Sequence, residues 1–174
     1  MNSIDTSIQI FFAGVRTPDL IEFFYLLTVL FDLTIYFVLL VVFVAILIRL
    51  VRNSTHAVFF LLTMTTGAVA VYLLKIFFNT SRPLDPVFNA FGQSFPSYHA
   101  ALSTVFFIML MYIFDDYFVG VPKKIFHLLC IVAVFLVSFS RIYLGVHWFS
   151  DVFFGVLVGG VISYLAILIF RRVR

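Results

Sequence analysis

The chain carries a single cysteine, five prolines and only 11% charged residues in 174. Cys130 sits alone in an apolar run, which excludes a disulfide framework and a cysteine-based metal site. So small a share of charge cannot cover the surface of an ordinary soluble domain. The N-terminus lacks the basic start of a secretory signal, since Asp5 precedes the first positive residue, Arg16; the chain is read as mature. What is present instead is 64% hydrophobic residues and a mean hydropathy of +1.19, the composition of an integral membrane protein. Almost every long segment is apolar, so residues 1–174 are read as one membrane-embedded domain.

The net charge of +3 would invite a nucleic-acid partner only if the basic residues clustered on one exposed face. They fall instead at the ends of apolar runs: Arg49 and Arg52, Lys123 and Lys124, then Arg171, Arg172 and Arg174. A spanning helix needs about 20 mostly apolar residues, and the pattern gives spans at 33–50, 57–79, 98–114, 125–140 and 148–170. The basic clusters follow the first, third and fifth spans, so all three share one side, which the positive-inside rule assigns to the cytoplasm. Segments 80–97 and 141–147 then face outward, as does the N-terminus. Residues 3–16 read as an interfacial helix and 20–31 as a hydrophobic lead-in, so 1–32 precede the spans. A sixth span there would bury Arg16, Asp19 and Glu22 at about 2.5–3.5 kcal/mol each at mid-bilayer. The expected fold is an all-α polytopic transmembrane bundle of five spans, with six possible.

With the basic ends set aside, six ionisable residues gather on the outward side: Lys75, Arg82, His99, Arg141, His147 and Asp151. Charges beside hydrocarbon are costly and are read as functional by default. Asp151 follows His147 by four positions, one helical turn, so its carboxylate can hold an imidazole nitrogen. That leaves Lys75, Arg82 and Arg141 without a carboxylate, and Asp85 is read as a solvated loop residue. An external anion satisfies them, and a phosphate suits two guanidinium forks and an ammonium. Pro96 fits the first turn of a helix, where Ser97 and free backbone N–H groups can bind the same anion.

Two histidines beside a phosphate divide the labour. Held by Asp151, His147 is oriented and fixed in one tautomer as the nucleophile, while His99 protonates the departing oxygen as general acid. Lys75, Arg82 and Arg141 stabilise charge on the equatorial oxygens. No metal or other cofactor is required, and three nearby cations would repel a metal ion from the His/Asp cluster.

Three stretches carry a resemblance: "KIFFNTSRP" (Lys75 to Pro83), "PSYH" (Pro96 to His99) and "SRIYLGVHWFSD" (Ser140 to Asp151). Their order and spacing resemble the K-x6-R-P, P-S-G-H and S-R-x5-H-x3-D motifs of the type 2 phosphatidic acid phosphatase superfamily. With the helices that bear them they cover 57–170. The resemblance implies a membrane lipid phosphatase with Lys75, Arg82, Ser97 and Arg141 as phosphate ligands, His99 as acid, His147 as nucleophile and Asp151 as its partner. Tyr98 departs from the pattern, which has glycine there. Its ring is expected at the pocket entrance, unless the position needs a positive φ, which a tyrosine adopts at a cost. The resemblance further implies a bacterial plasma-membrane protein with its site facing the periplasm or outside, a lipid phosphate as substrate and no obligate protein partner. Chain length is similar to compact lipid A 1-phosphatases, which makes lipid A 1-phosphate the expected substrate; phosphatidylglycerophosphate and undecaprenyl diphosphate stand as its competitors. The non-enzymatic alternative is a lipid- or anion-binding protein using the same cluster.

The remaining polar residues read as structural. Asp32 is expected to cap the first span, His56 and His127 to lie at the cytoplasmic interface, and Asp115 and Asp116 to form a solvated turn. Asn79, Thr80 and Ser81 end the second helix before Pro83. Asn89, Gln93 and Ser94 lie in the outward loop near a head group.

Overall fold

A computed structural model describes residues 3–29, 31 and 35–173. Seven helices follow in order among them: α1 Ser3–Val15, α2 Pro18–Val29, α3 Ile35–Val51, α4 Ser54–Phe78, α5 Tyr98–Ile113, α6 Val121–Tyr143 and α7 Phe149–Val173. No described residue lies in a strand. By length and composition α4, α6 and α7 are apolar enough to cross a membrane, whereas α3 and α5 are shorter apolar helices. At about 1.5 Å per residue the latter reach roughly 25 Å, a little less than the ~30 Å hydrocarbon core. Asp32 lies outside the described residues.

Helix α5 is the central element, packed on α7, α6 and α4, with α3 outside α4 and α2 outside α6. Its side chains are buried nearly all round, and Leu102, Val105, Phe106 and Met109 form the core with Phe60 and Met64 of α4. The crossing with α7 is set by Gly155 and Gly159. A Cβ at Gly155 would sit 2.9 Å from the Ser97 carbonyl oxygen, and one at Gly159 would overlap that of Ala101. Small residues four apart let two apolar helices touch backbone to backbone, where dispersion rather than water drives packing.

The bundle has two polar ends. At one, Arg52 pairs with Asp116 at 2.7 Å, Lys123 with Asp115 at 2.8 Å, and the Arg171 guanidinium lies 5.4 Å from the Tyr112 ring centre. These contacts gather the ends of α3, α5 and α7 with the starts of α4 and α6, so the three basic clusters do share one side. His56 departs from its interfacial expectation: it is buried, with Nδ1 2.8 Å from the Oδ1 of Asn53, the residue that caps α4. The other end collects the end of α4, the start of α5, the end of α6 and the start of α7.

The N-terminal region also differs from a helix lying in an interface. Asp5 is buried and accepts from the backbone N–H and the hydroxyl of Ser150 at 2.9 and 2.8 Å, in the first turn of α7. A carboxylate there satisfies an orphan helix N–H and complements the helix dipole. The lead-in forms a helix of its own, α2, because Phe24 packs on Phe139 and Tyr143 of α6.

Candidate active site

Each residue at this second polar end is placed by a local feature of the chain. Helix α4 ends where Asn79 adopts a left-handed conformation, φ 44°, with its N–H donating to the Lys75 carbonyl at 3.0 Å. Lys75, one turn earlier, turns inward and donates to the carbonyls of Gln93 and Ser94 at 2.7 and 3.1 Å. Arg82, in the following loop, donates to the carbonyls of Phe91, Gly92 and Val146 at 2.8–3.1 Å. Neutral carbonyls orient both cations without cancelling their charge.

The third motif closes on itself. Beyond α6 the chain turns so that Val146 N–H and His147 N–H both donate to the Arg141 carbonyl, at 3.2 and 3.3 Å. The histidine and the arginine six positions earlier are therefore one rigid unit. Asp151, in the first turn of α7, accepts from Trp148 N–H at 2.8 Å and from the Ser94 hydroxyl through its Oδ2. The same oxygen stands 3.4 Å from His147 Nδ1. Helix α7 starts at Phe149, so His147 lies just before it rather than inside it; the four-residue spacing still brings the two side chains together.

The far nitrogen of His147, Nε2, lies 3.3 Å from Arg82 Nη1. A guanidinium can only donate, so Nε2 presents its lone pair and the ring proton resides on Nδ1, facing Asp151. Burial, followed by the charges of Arg82, Arg141, Lys75 and His99, holds the His147 pKa well below the ordinary histidine value. The imidazole is thus neutral, with the Nε2 lone pair turned toward the cavity.

That cavity, of about 360 Å³, is lined by Lys75, Arg82, Tyr98, His99, Arg141 and His147, and by Tyr25, Phe88, Asn89, Ala90 and Phe91. Tyr98 belongs to its wall. Its ring lies 5.4 Å from Lys75 Nζ and its hydroxyl donates to the Ala68 carbonyl at 3.2 Å. It opens α5 with negative φ, so no left-handed backbone is required where the motif usually has glycine.

Two expectations need correction. Pro96 is not in the first helical turn: α5 starts at Tyr98 and Ser97 is its N-cap, accepting from Ala100 N–H at 3.5 Å. A serine hydroxyl competes well for that position, which leaves proline outside the helix. Ser97 is fully buried and does not line the cavity, and its own N–H is taken by the Asp151 carbonyl at 3.0 Å. Ser94 lies in the loop before α5 as expected, but it is buried there as a partner of Asp151 rather than near a head group.

This arrangement coincides with the match to a family model, the PAP2 superfamily, over residues 56–174. The chain belongs to the PAP2 superfamily. An undecaprenyl-diphosphatase of Sulfolobus acidocaldarius is 32% identical over 118 residues, 65% of this chain and 52% of that protein. Phosphatidylglycerophosphatase B of Bacillus subtilis is 28% identical over 117 residues, 66% of this chain and 58% of that protein. The matched segment thus spans a little over half the length of these curated relatives. Among solved structures, a transmembrane PAP2-type phosphatidylglycerolphosphate phosphatase from Bacillus subtilis superposes with a TM-score of 0.88 at 25% identity, covering 99% of this chain and 87% of that one. LpxE of Aquifex aeolicus superposes at 0.76 with 23% identity over 95% and 96% of the two chains, a likeness of fold. With its apolar helices, this PAP2 chain is a membrane protein.

Proposed function

We propose that this PAP2 protein is a lipid phosphatase that cleaves a phosphate from a membrane-lipid head group through a phosphohistidine at His147, with phosphatidylglycerophosphate as its leading substrate. The observation that carries the reading is the orientation of His147, with Nδ1 backed by Asp151 at 3.4 Å and Nε2 aimed into a cavity lined by three cations.

The phosphate enters among Lys75, Arg82 and Arg141, replacing the Arg82–His147 contact and freeing the Nε2 lone pair. Nε2 attacks phosphorus, the bond from phosphorus to the lipid oxygen breaks, and His99 gives that oxygen a proton. A water, deprotonated by His99, then attacks phosphorus; the P–N bond breaks and inorganic phosphate leaves. Charge on the equatorial oxygens is met by the two guanidinium groups and the ammonium. The hydroxyl of Ser97, the N-cap of α5, is the further donor that the second motif would bring to the phosphate. The same three cations disfavour a metal ion, so the reaction proceeds without one.

Substrate choice rests on likeness. The phosphatidylglycerophosphate reading is supported by the near-complete superposition with a phosphatase of that name and by the matching Bacillus subtilis sequence. Undecaprenyl diphosphate is the second reading, supported by the archaeal relative. The expected preference for lipid A 1-phosphate rested on chain length, and the likeness to LpxE is one of fold. The basic clusters, by the positive-inside rule, support a site on the outer face of a plasma membrane, where each of these lipids can reach it.

The test is phosphate release by purified protein in detergent from the three lipids side by side. Fastest release from phosphatidylglycerophosphate supports the reading; release from none of them, with lipid still bound, replaces it with a binding role.

A further inference from the structure

We propose that Thr28, on helix α2, positions Arg141 for catalysis, so that the N-terminal helices are part of the site. The proposal rests on the reading of Arg141 as a phosphate ligand. Helix α2 lies outside the segment matched by the family model, which starts at residue 56. Thr28 is nonetheless fully buried, and its Oγ1 accepts from Arg141 Nη1 at 3.0 Å. Tyr25, one turn earlier on the same face, lines the cavity and meets the Phe88 ring at 5.5 Å; Phe88 in turn lies 5.7 Å from the Arg141 guanidinium carbon. One edge of the guanidinium is therefore hydrogen-bonded to α2 and one face is covered by a ring that α2 supports.

The docking of this region onto the catalytic loop is built into the loop itself. Arg16, between α1 and α2, donates to the carbonyls of Tyr143 and Asp85 at 2.9 and 3.0 Å. It passes over Gly145, where φ is +71° and an added Cβ would overlap Arg16 Nη2 and lie 2.8 Å from Gln9 Nε2. Asp5 holds Ser150 on the far side of His147. Residues 141–151 are thus gripped at both ends by side chains from outside the family core. Thr28 is the member of this grip that touches a phosphate ligand.

A guanidinium has five donors and rotates readily on its stem; fixing one of them on a buried hydroxyl aims the others. Thr28→Val keeps shape and removes the acceptor, and Thr28→Ser keeps the acceptor. Thr28→Val should lower kcat/KM about tenfold, the scale of a lost charge-assisted hydrogen bond. It should weaken inhibition by vanadate, which mimics the five-coordinate phosphorus, more than inhibition by inorganic phosphate. Thr28→Ser should restore both, with unfolding temperatures alike for all three proteins. Wild-type kcat/KM and vanadate inhibition in Thr28→Val, alongside a strongly impaired Arg141→Ala, would overturn the proposal and leave the ligand reading intact. A fall in unfolding temperature that explains the whole rate loss, unrelieved by serine, would also overturn it. An Arg141→Ala protein of undiminished rate would instead sink the ligand reading on which the proposal stands.

Discussion

His147 and Asp151 face each other across 3.4 Å at the end of the bundle opposite the basic clusters, and the aspartate oxygen involved also receives the Ser94 hydroxyl and the Trp148 N–H. The carboxylate is thus fixed by two donors before it orients the imidazole. Asp151→Asn should lower kcat by a factor on the order of 10³ or more with little change in KM, because an amide supports the wrong tautomer. Ser94→Ala should cost about tenfold in kcat, the scale of one buried hydrogen bond to a charged group. Steady-state kinetics on both proteins check the ordering; a Ser94→Ala loss as large as that of Asp151→Asn would contradict it.

The pH profile follows from the environment of His147. The reaction needs the neutral ring, and burial together with Arg82 pulls the pKa below its ordinary value of 6.5. Lowering the pH to about 6.5 should therefore leave the nucleophile unprotonated, and the acid limb of kcat/KM should lie below that point. Arg82→Gln removes the largest neighbouring charge and should move the limb upward. Stability obeys the same sign. The unfolded chain takes up this proton more readily, so the contribution is intact above about pH 6.5 and declines as pH falls below it. A limb at 6.5 or above in the wild type would contradict this account of His147.

Tyr98 stands in the cavity wall without backbone strain, so its effect should be on which lipid fits. Tyr98→Gly should change the relative rates on the three candidate lipids. An equal change on all of them would assign the ring to helix packing, through its bond to Ala68.

Much of the site was legible because its motifs obey simple geometry. The gap of four between His147 and Asp151 is one helical turn, and the basic clusters recur at alternate span ends, so the polar residues left over had to share the opposite end. Partners joined only by the folded bundle were not legible. Ser94 meets Asp151 across 57 positions, Thr28 meets Arg141 across 113, and Asp5 meets Ser150 across 145. No periodicity in a single sequence encodes such pairs. Pro96 misled because proline suits the first helical turn, whereas Ser97 caps α5 and the helix starts at Tyr98, where the span was expected to begin. The Gly155-x3-Gly159 pair was likewise not singled out in the sequence, yet it marks the crossing that brings α5 to α7.

That crossing gives a stability prediction. At Gly159 an added Cβ would overlap the Ala101 carbonyl oxygen and lie 2.8 Å from Thr104 Cβ. Gly159→Val should force the helices apart and destabilise the protein by about 1–3 kcal/mol or more, the range for overpacked cores. Because α5 bears His99 and α7 bears Asp151, activity should fall with it. Thermal unfolding in detergent checks this, and an unchanged midpoint would mean that the helices do not cross so closely.

The central claim is that His147 is the nucleophile. The most direct test is phosphate release from phosphatidylglycerophosphate by wild-type and His147→Ala protein, purified in the same detergent and matched in unfolding temperature. The account predicts steady release by the wild type and none above background by the variant. Release by His147→Ala at a rate near that of the wild type would show that phosphorus is attacked by some other group.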